Sequence, residues 1–561
     1  MFQLNKKKFY IVLILTVAFL LRMGAVDYGL PHFTAFGDEL VHIAAGFNLL
    51  AQKTLRANFD FYYLPPLFSY LLAPIFVLIG GIGIVIGKFQ GLAGYQNFVV
   101  LNKEYFLTVS RIISALFGTA AIYFLFLLAK RIFNQKIAYV AAILMVFDFF
   151  SVHESQIGRI WMPLTFFMLG SSYFIYRLYK EGDLKWYLLS GLMIGLGFGM
   201  GYAAAILPLW FLVAHFVRRQ KIFNKKFILG GSLMLSLIGF FVYLNSVALR
   251  LFAHIIFTIG TFFNKEFIFS PIDIPEDVQS NYVYFQQMLS FLWNNSPLFF
   301  LSGLAGFLIL AFSKKERFAK LLLIGVPAVY LFIITFLFSG IEGRYVLPAI
   351  PFFIISSAYG AVFLSERFFR SDWLRNTAIL VLVLIFVSYS FYISFLYILR
   401  LQKPDTRIQL VNWLYQNVRP ESWVVLWDDY IEINETKRSI LFIAEKYSSR
   451  LDVKRKYLLG LKEDDYPWPR YNIFHSGRLD FNKINFEEIK ADYLIISFWS
   501  KEEKKSKLDF FSYQKQLVKE FYPREEISLL PNLLNDPNVH PFLTLRTVKY
   551  LGPYVEVYKL Q

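Results

Sequence analysis

Cysteine is absent from all 561 residues. That excludes disulfides, thiolate metal sites and cysteine nucleophiles, and it leaves any exported part of the chain to hold together by its core alone. Charge is scarce as well: 17% of residues are Asp, Glu, Lys or Arg, against roughly 25% in an ordinary soluble domain. Apolar residues are abundant, at 57% hydrophobic and 19% aromatic, which excludes a disordered chain and argues against a single soluble globule. The shortage of charge is also uneven. Residues 1–400 hold 32 Lys+Arg and 17 Asp+Glu, or 12% charged, while residues 401–561 hold 25 and 23, or 30% charged. Two different solvents are implied, a bilayer for the first part and water for the second. The basic excess then reports membrane orientation rather than affinity for nucleic acid, and no nucleic-acid partner is expected.

A membrane helix needs about 20 largely apolar residues. The first such run, Tyr10–Val26, follows Lys6-Lys7-Lys8 and has no small-residue cleavage site after it, so it reads as a retained span. Ten more follow near 105–129, 137–152, 161–178, 186–201, 203–217, 227–249, 297–313, 319–338, 345–365 and 376–399, making about 11 transmembrane helices. With the N-terminus cytoplasmic, the inner loops carry 21 Lys+Arg and the longer outer loops only 8, as positive residues retained inside require. The expected location is the plasma or inner membrane, with residues 401–561 outside. The stretch Leu64–Gly87 would invert this order, so it is placed in the first outer loop, 27–104, as a re-entrant or surface element. Its Pro65-Pro66 and Gly80-Gly81-Ile82-Gly83 predict a broken helix. A second surface helix is expected over Leu251–Phe263. From Gln402 the pattern changes to an amphipathic helix, Thr406–Asn417, and buried strands Trp423–Trp427, Tyr493–Ser497 and Tyr554–Tyr558, an α/β domain joined by Lys403-Pro404-Asp405. The charged run Lys501–Lys507 reads as a solvated helix.

The first outer loop contains Phe36-Gly37-Asp38-Glu39-Leu40-Val41-His42, two adjacent carboxylates opening a helical pattern. At such a position one carboxylate can cap backbone amides while the other faces a cavity. An ordinary helix cap accounts for an isolated pair of this kind; its place just beyond the first span favours chemistry.

Here the chain resembles the GT-C class of integral membrane glycosyltransferases, in the branch of protein O-mannosyltransferases and lipid A aminoarabinose transferases. The resemblance extends from Asp38-Glu39 through Tyr63-Leu64-Pro65-Pro66-Leu67-Phe68-Ser69-Tyr70 and Ser110-Arg111-Ile112-Ile113-Ser114-Ala115-Leu116-Phe117-Gly118. It continues through Lys130-Arg131-Ile132-Phe133 to Gly343-Arg344-Tyr345-Val346-Leu347-Pro348-Ala349-Ile350-Pro351. It implies a GT-C fold for residues 1–400, with 401–561 as an extracytoplasmic domain. It also implies inverting transfer of a sugar from a polyprenyl-phosphate donor to a protein, glycan or lipid acceptor at the outer membrane face. Asp38 then corresponds to the general base that takes the acceptor hydroxyl's proton, and Glu39 orients Asp38 or binds acceptor. A hydroxyl is a poor nucleophile at neutral pH, and a positioned base contributes about 10²–10⁴ in rate. Arg159 and Arg344, at the outer boundary, are placed to stabilise the departing lipid phosphate. With them, His42, Tyr63, Arg111, His153, Glu154, Tyr202 and Tyr345 complete the candidate substrate-binding set. For Arg111 a structural ion pair competes with this role, and Arg22 reads as a residue whose charged end reaches back to the interface.

The chain departs from the aminoarabinose branch at Val41-His42, at Met162 beside Pro163 and at Gly201 beside Tyr202, which leaves the sugar open. No cofactor is identified by the sequence. A divalent metal on Asp38, His42, His153 and Glu154 is not favoured, because no paired-His motif is present. Trp427-Asp428-Asp429-Tyr430 resembles the acceptor-reading motif of oligosaccharyltransferases but lacks its second Trp and its Gly, so a strand end is the preferred reading. The alternatives are an oligosaccharyltransferase-like enzyme of the same class, a lipid or solute transporter or flippase, and a structural subunit with a degenerate site. Against transport stand the lack of an internal repeat and the gathering of charges in the outer loops, with Asp148 the exception inside a span.

Overall fold

The computed structural model describes residues 6–31, 37–53, 55, 66–218, 221, 224–245, 281–336, 342–428, 431–446, 451–475, 490–511, 514–527 and 540–560; of residues 6, 7, 37, 38, 281 and 282 it describes the backbone. The expected helix at Leu251–Phe263 lies outside them.

Helix α1 (Lys6–Met23) leads through turns to α2 (Gly37–Gln52), α3 (Leu67–Val85), α4 (Gly91–Leu101) and α5 (Lys103–Ile132). Helix α5 carries Glu104 in its first turn and Lys130 and Arg131 in its last, each sign at the helix end whose dipole it complements. At about 1.5 Å per residue its 30 residues are longer than the roughly 30 Å hydrocarbon core is thick. Then come α6 (Gln135–Phe147), α7 (Phe149–Ser155), α8 (Trp161–Glu181), α9 (Leu184–Met200), a 3₁₀ turn (Tyr202–Ile206), α10 (Leu207–Val217) and α11 (Lys225–Leu244). The set closes with α12 (Asn281–Asn295), α13 (Pro297–Phe312), α14 (Arg317–Phe336), a second 3₁₀ turn (Gly343–Ala349), α15 (Ile350–Phe368) and α16 (Asp372–Leu401).

Among the described residues six helices are by length and apolarity able to cross a membrane, or eight if two bent pairs each count as one span. The chain is a multi-pass membrane protein. One bent pair, α6–α7, breaks by 60° at Asp148; the other, α12–α13, breaks by 109° at Ser296. Small residues bring helices close: a side chain at Gly191 would collide with the Gly230 carbonyl across the α9–α11 contact, and one at Gly306 with the Ser356 carbonyl between α13 and α15.

The predicted break within 64–87 does not occur. Leu67–Val85 is one continuous helix with Pro74 inside it, and it is among the helices able to cross. Two of its glycines have another purpose. A side chain at Gly80 would meet the Tyr95 ring at 2.6 Å, and one at Gly83 would overlap the Phe89 ring, so the bare backbone lets those aromatics lie flat against the helix. The Tyr95 hydroxyl donates to the Phe76 carbonyl at 2.6 Å and ties α4 back onto α3.

The C-terminal part is α/β. Helix α17 (Thr406–Asn417) packs on a sheet of β1 (Trp423–Trp427), β2 (Asn472–His475), β3 (Tyr493–Phe498), β4 (Lys515–Phe521) and β5 (Tyr554–Leu560), in the order β2-β1-β3-β5-β4. Strands β2, β1 and β3 are parallel, with Val425 opposite both Phe474 and Leu494; β5 runs antiparallel to β3, and β4 antiparallel to β5. In β1 the residues Val424, Val425 and Leu426 are all buried, as a parallel strand covered on both faces demands. Val424 and Leu426 face Leu410, Val411 and Leu414 of α17, whereas Val425 belongs to the continuous core shared with the membrane helices. Strand β4 is an edge whose outward residues include Lys519, a charge that discourages pairing with another chain. Lys501–Asp509 is the expected solvated helix.

Candidate functional site

Asp38 and Glu39 lie in the first turn of α2. The Glu39 side chain is fully buried and committed. Arg111 of α5 grips it in a fork, Nε to Oε1 at 2.8 Å and Nη2 to Oε2 at 2.8 Å, while the backbone N–H of Gly158 donates to Oε1 at 2.7 Å. Arg111 Nη1 also donates to the carbonyls of Val26 and Tyr28, at 3.0 and 2.7 Å. Three separate segments thus meet on one carboxylate. The polar atoms of each are engaged by protein, and Arg111 sits in the ion pair that the sequence left as one of its two readings. Gly158 is needed where it stands, since a side chain there would run into Ser110.

The segment 148–161 is the spine along which the other candidates gather. Glu154 receives Arg159 Nη2 on Oε1 at 3.2 Å, and His153 Nε2 stands 3.7 Å from the same oxygen. The His153 ring packs on Tyr397 of α16, with centroids 5.0 Å apart. One step on, the Trp161 ring lies tilted against Tyr345 with centroids 4.8 Å apart. Tyr345 is fixed by its carbonyl, which accepts the Tyr330 hydroxyl at 2.7 Å, and Arg344 beside it is paired with Glu342. The two buried clusters, Glu39–Arg111–Gly158 and His153–Glu154–Arg159, are therefore joined directly, because Gly158 and Arg159 are consecutive in one segment, with Arg344 and Tyr345 docked at its far end.

Other candidates stand apart. His42 is buried one turn along α2 with its ring edge-on to Phe68 at 5.3 Å, and Tyr202 packs on Phe198 at 5.4 Å. Tyr63 and the Asp38 side chain lie outside the described residues, as do Asp429 and Tyr430. Among the described residues no three His, Cys, Asp or Glu side chains gather to hold a metal ion.

Sequence reasoning noticed the residues that shape the spine, Arg22 and Asp148, without assigning them to it. Arg22 does not reach for the interface; it is fully buried, donating to Ser155 Oγ at 3.1 Å and to the carbonyls of Met145 and Val146 at 3.2 and 3.4 Å. Those carbonyls end α6, where a cation is favoured. Asp148 caps the next helix, accepting the Ser151 backbone N–H at 2.9 Å and the Ser151 hydroxyl at 2.6 Å on Oδ2, and on Oδ1 the Ser296 hydroxyl at 2.7 Å. The break in one span is thus hydrogen-bonded to the break in the other. A charge inside an apolar run was the available signal for both residues.

Residues 98–244 match the family model described as dolichyl-phosphate-mannose-protein mannosyltransferase. YycA of Bacillus subtilis (strain 168), provisionally named a mannosyltransferase, is 32% identical over 124 residues, which is 22% of this chain and 18% of that protein. Among solved structures, ArnT from Cupriavidus metallidurans bound to undecaprenyl phosphate is 14% identical, with 91% of this chain and 96% of that one covered and a TM-score of 0.49. The oligosaccharyltransferase of Archaeoglobus fulgidus in its apo form is 13% identical, with 88% and 70% covered and a TM-score of 0.48. Structural likeness of that strength carries no argument alone. The family match over 98–244 agrees with the resemblance read from the motifs: the chain is similar to GT-C membrane glycosyltransferases of the mannosyltransferase branch.

Proposed function

We propose that the chain transfers a sugar from a polyprenyl-phosphate donor to an acceptor hydroxyl at the outer membrane face, with inversion, and that Asp38 is the general base. The observation that carries this reading is the investment around Asp38's neighbour. A buried ion pair is a weak source of stability, so a fork from α5 and a backbone N–H from the 156–160 loop converging on Glu39 are better explained by the need to fix one helix turn in place. Asp38 is on that turn. In this reading residues 1–400 form the membrane module and 401–561 an extracytoplasmic domain over it. Arg159, close to the Trp161 end of the spine, and Arg344, docked at that end beside Tyr345, take the lipid phosphate as charge develops on it.

The test is transfer from polyprenyl-phosphate sugars to candidate acceptors by the purified protein. Asp38→Asn should lower turnover by about 10²–10⁴, the worth of a general base. The anomeric configuration of the product, read by NMR, should be opposite to that of the donor. Full activity in the Asn variant removes Asp38 as the base, and retained configuration removes the single-displacement mechanism.

A further inference from the structure

The α/β domain reaches the first outer loop through one buried polar joint. Asp405, fully buried at the start of α17, accepts the Tyr28 hydroxyl on Oδ2 at 2.6 Å. The same carboxylate holds Arg407, Nε to Oδ1 at 3.0 Å and Nη2 to Oδ2 at 3.2 Å, and caps the helix through the Arg407 backbone N–H at 2.9 Å. The domain's far end closes on it too, since Thr406 donates to the carbonyls of Leu551 at 3.0 Å and Pro553 at 2.7 Å. Burial, and after it the nearby Asp405 charge, hold the Tyr28 phenol well above its ordinary pKa, so it stays a donor throughout the working pH range.

Tyr28 has a second end. Its carbonyl, with that of Val26, receives Arg111 Nη1, and Arg111 turns its remaining edge to Glu39. The connection runs Asp405, Tyr28, Arg111, Glu39, and the next residue is Asp38. Docking alone does not require it. The domain is already held by the chain itself, by the Lys103–Glu432 ion pair, by Arg400 donating to the Leu545 carbonyl at 3.4 Å and by Tyr389 stacked on Phe542.

We propose that Asp405 and Tyr28 are positioning residues for the first-loop site: the docked α/β domain sets the Arg111 fork, and through it the helix turn that carries Asp38. The proposal rests on Asp38 being the base. In this arrangement a membrane module whose α/β domain is undocked transfers slowly, and the domain acts on the site from a distance rather than by touching substrate.

The experiment uses the full chain in nanodiscs. Tyr28→Phe removes one hydroxyl and leaves the ring. Turnover should fall about tenfold, equivalent to about 1.4 kcal/mol, with KM for the lipid-phosphate donor changed by less than about twofold. Amide exchange should quicken in residues 26–31 and 37–46 and stay as in wild type in strands β1 and β3. Adding Tyr28→Phe to Glu39→Gln should cost less than the two separate losses combined, because both act through one fork. Wild-type turnover in Tyr28→Phe, additive losses, or faster exchange in the sheet as well would each overturn the proposal. If Asp38→Asn proves fully active, the base reading fails and exchange alone decides: faster exchange in 37–46 keeps the joint, and unchanged exchange removes it.

Discussion

The replacement Glu39→Gln probes the fork directly. Glu39 accepts three hydrogen bonds, two from Arg111 and one from the Gly158 backbone N–H, and it is the counter-charge of a guanidinium that is 2% exposed. Glutamine keeps the shape. Its carbonyl can still serve Gly158 and Arg111 Nε, but its amide then presents a donor to the donor Nη2. The variant loses one charge-assisted hydrogen bond, worth about 1.5–3 kcal/mol, and leaves the guanidinium buried without a counter-charge. Removing one partner of a buried pair costs about 3–5 kcal/mol in all, or about 10² to 10³·⁵ in the equilibrium for opening this region. Unfolding in mixed micelles titrated with dodecyl sulfate measures the loss, and amide exchange over 37–46 localises it. The double replacement Glu39→Leu with Arg111→Met should lose less than either Glu39→Leu or Arg111→Met alone, because an apolar pair of similar volume leaves no orphaned charge. Stability of Glu39→Gln within about 0.5 kcal/mol of wild type, or a double variant worse than both singles, would refute the argument.

Arg22→Met should destabilise by about 3–5 kcal/mol, since it strips the carbonyls of Met145 and Val146 of their buried donor; Arg22→Lys should recover part of this, and the same micelle titration decides. Gly158→Ala should reduce transfer at least tenfold by pushing the 156–160 loop off Ser110 and away from Glu39, and Ser110→Ala in the same chain should restore part of it. The native chain has no cysteine, so single thiols report sidedness cleanly. Ser506→Cys, exposed in the helix Lys501–Asp509, should react with an impermeant reagent added outside intact cells, and Ser371→Cys, exposed before α16, only after permeabilisation. The reverse pattern would overturn the proposed topology. Ile157, though in the same loop as Gly158, is 1% exposed and unsuitable for such labelling.

Local pattern was enough for many of the elements. Apolar runs such as 105–129 and 376–399 lie within α5 and α16, and the run Val424-Val425-Leu426 is the buried strand its β-branched composition announced. Strands β2 and β4 were not legible: Asn472–His475 has only four residues, and Lys515–Phe521 reads as polar because it is an edge. At the site, the sequence picked out Asp38-Glu39, Arg111 and the 153–159 loop as the residues to examine, because charge next to apolar spans is costly and is kept for a reason.

What the sequence determined by itself is therefore the division between two solvents, the run of helices and the short list of charges beside the apolar runs. All three follow from composition and from periods of a few residues. The tertiary structure alone decided what each charge does. Arg22 serves a helix end 123 residues away, Glu39 is bound to an arginine 72 residues away, and Tyr28 meets Asp405 across 377 residues. It also decided that Gly80 and Gly83 of Leu67–Val85 admit aromatic rings instead of breaking the helix. The physical reason is the same in each case. The cost of burying a charge or omitting a side chain is set by the group that comes to rest against it, and only the folded chain chooses that group.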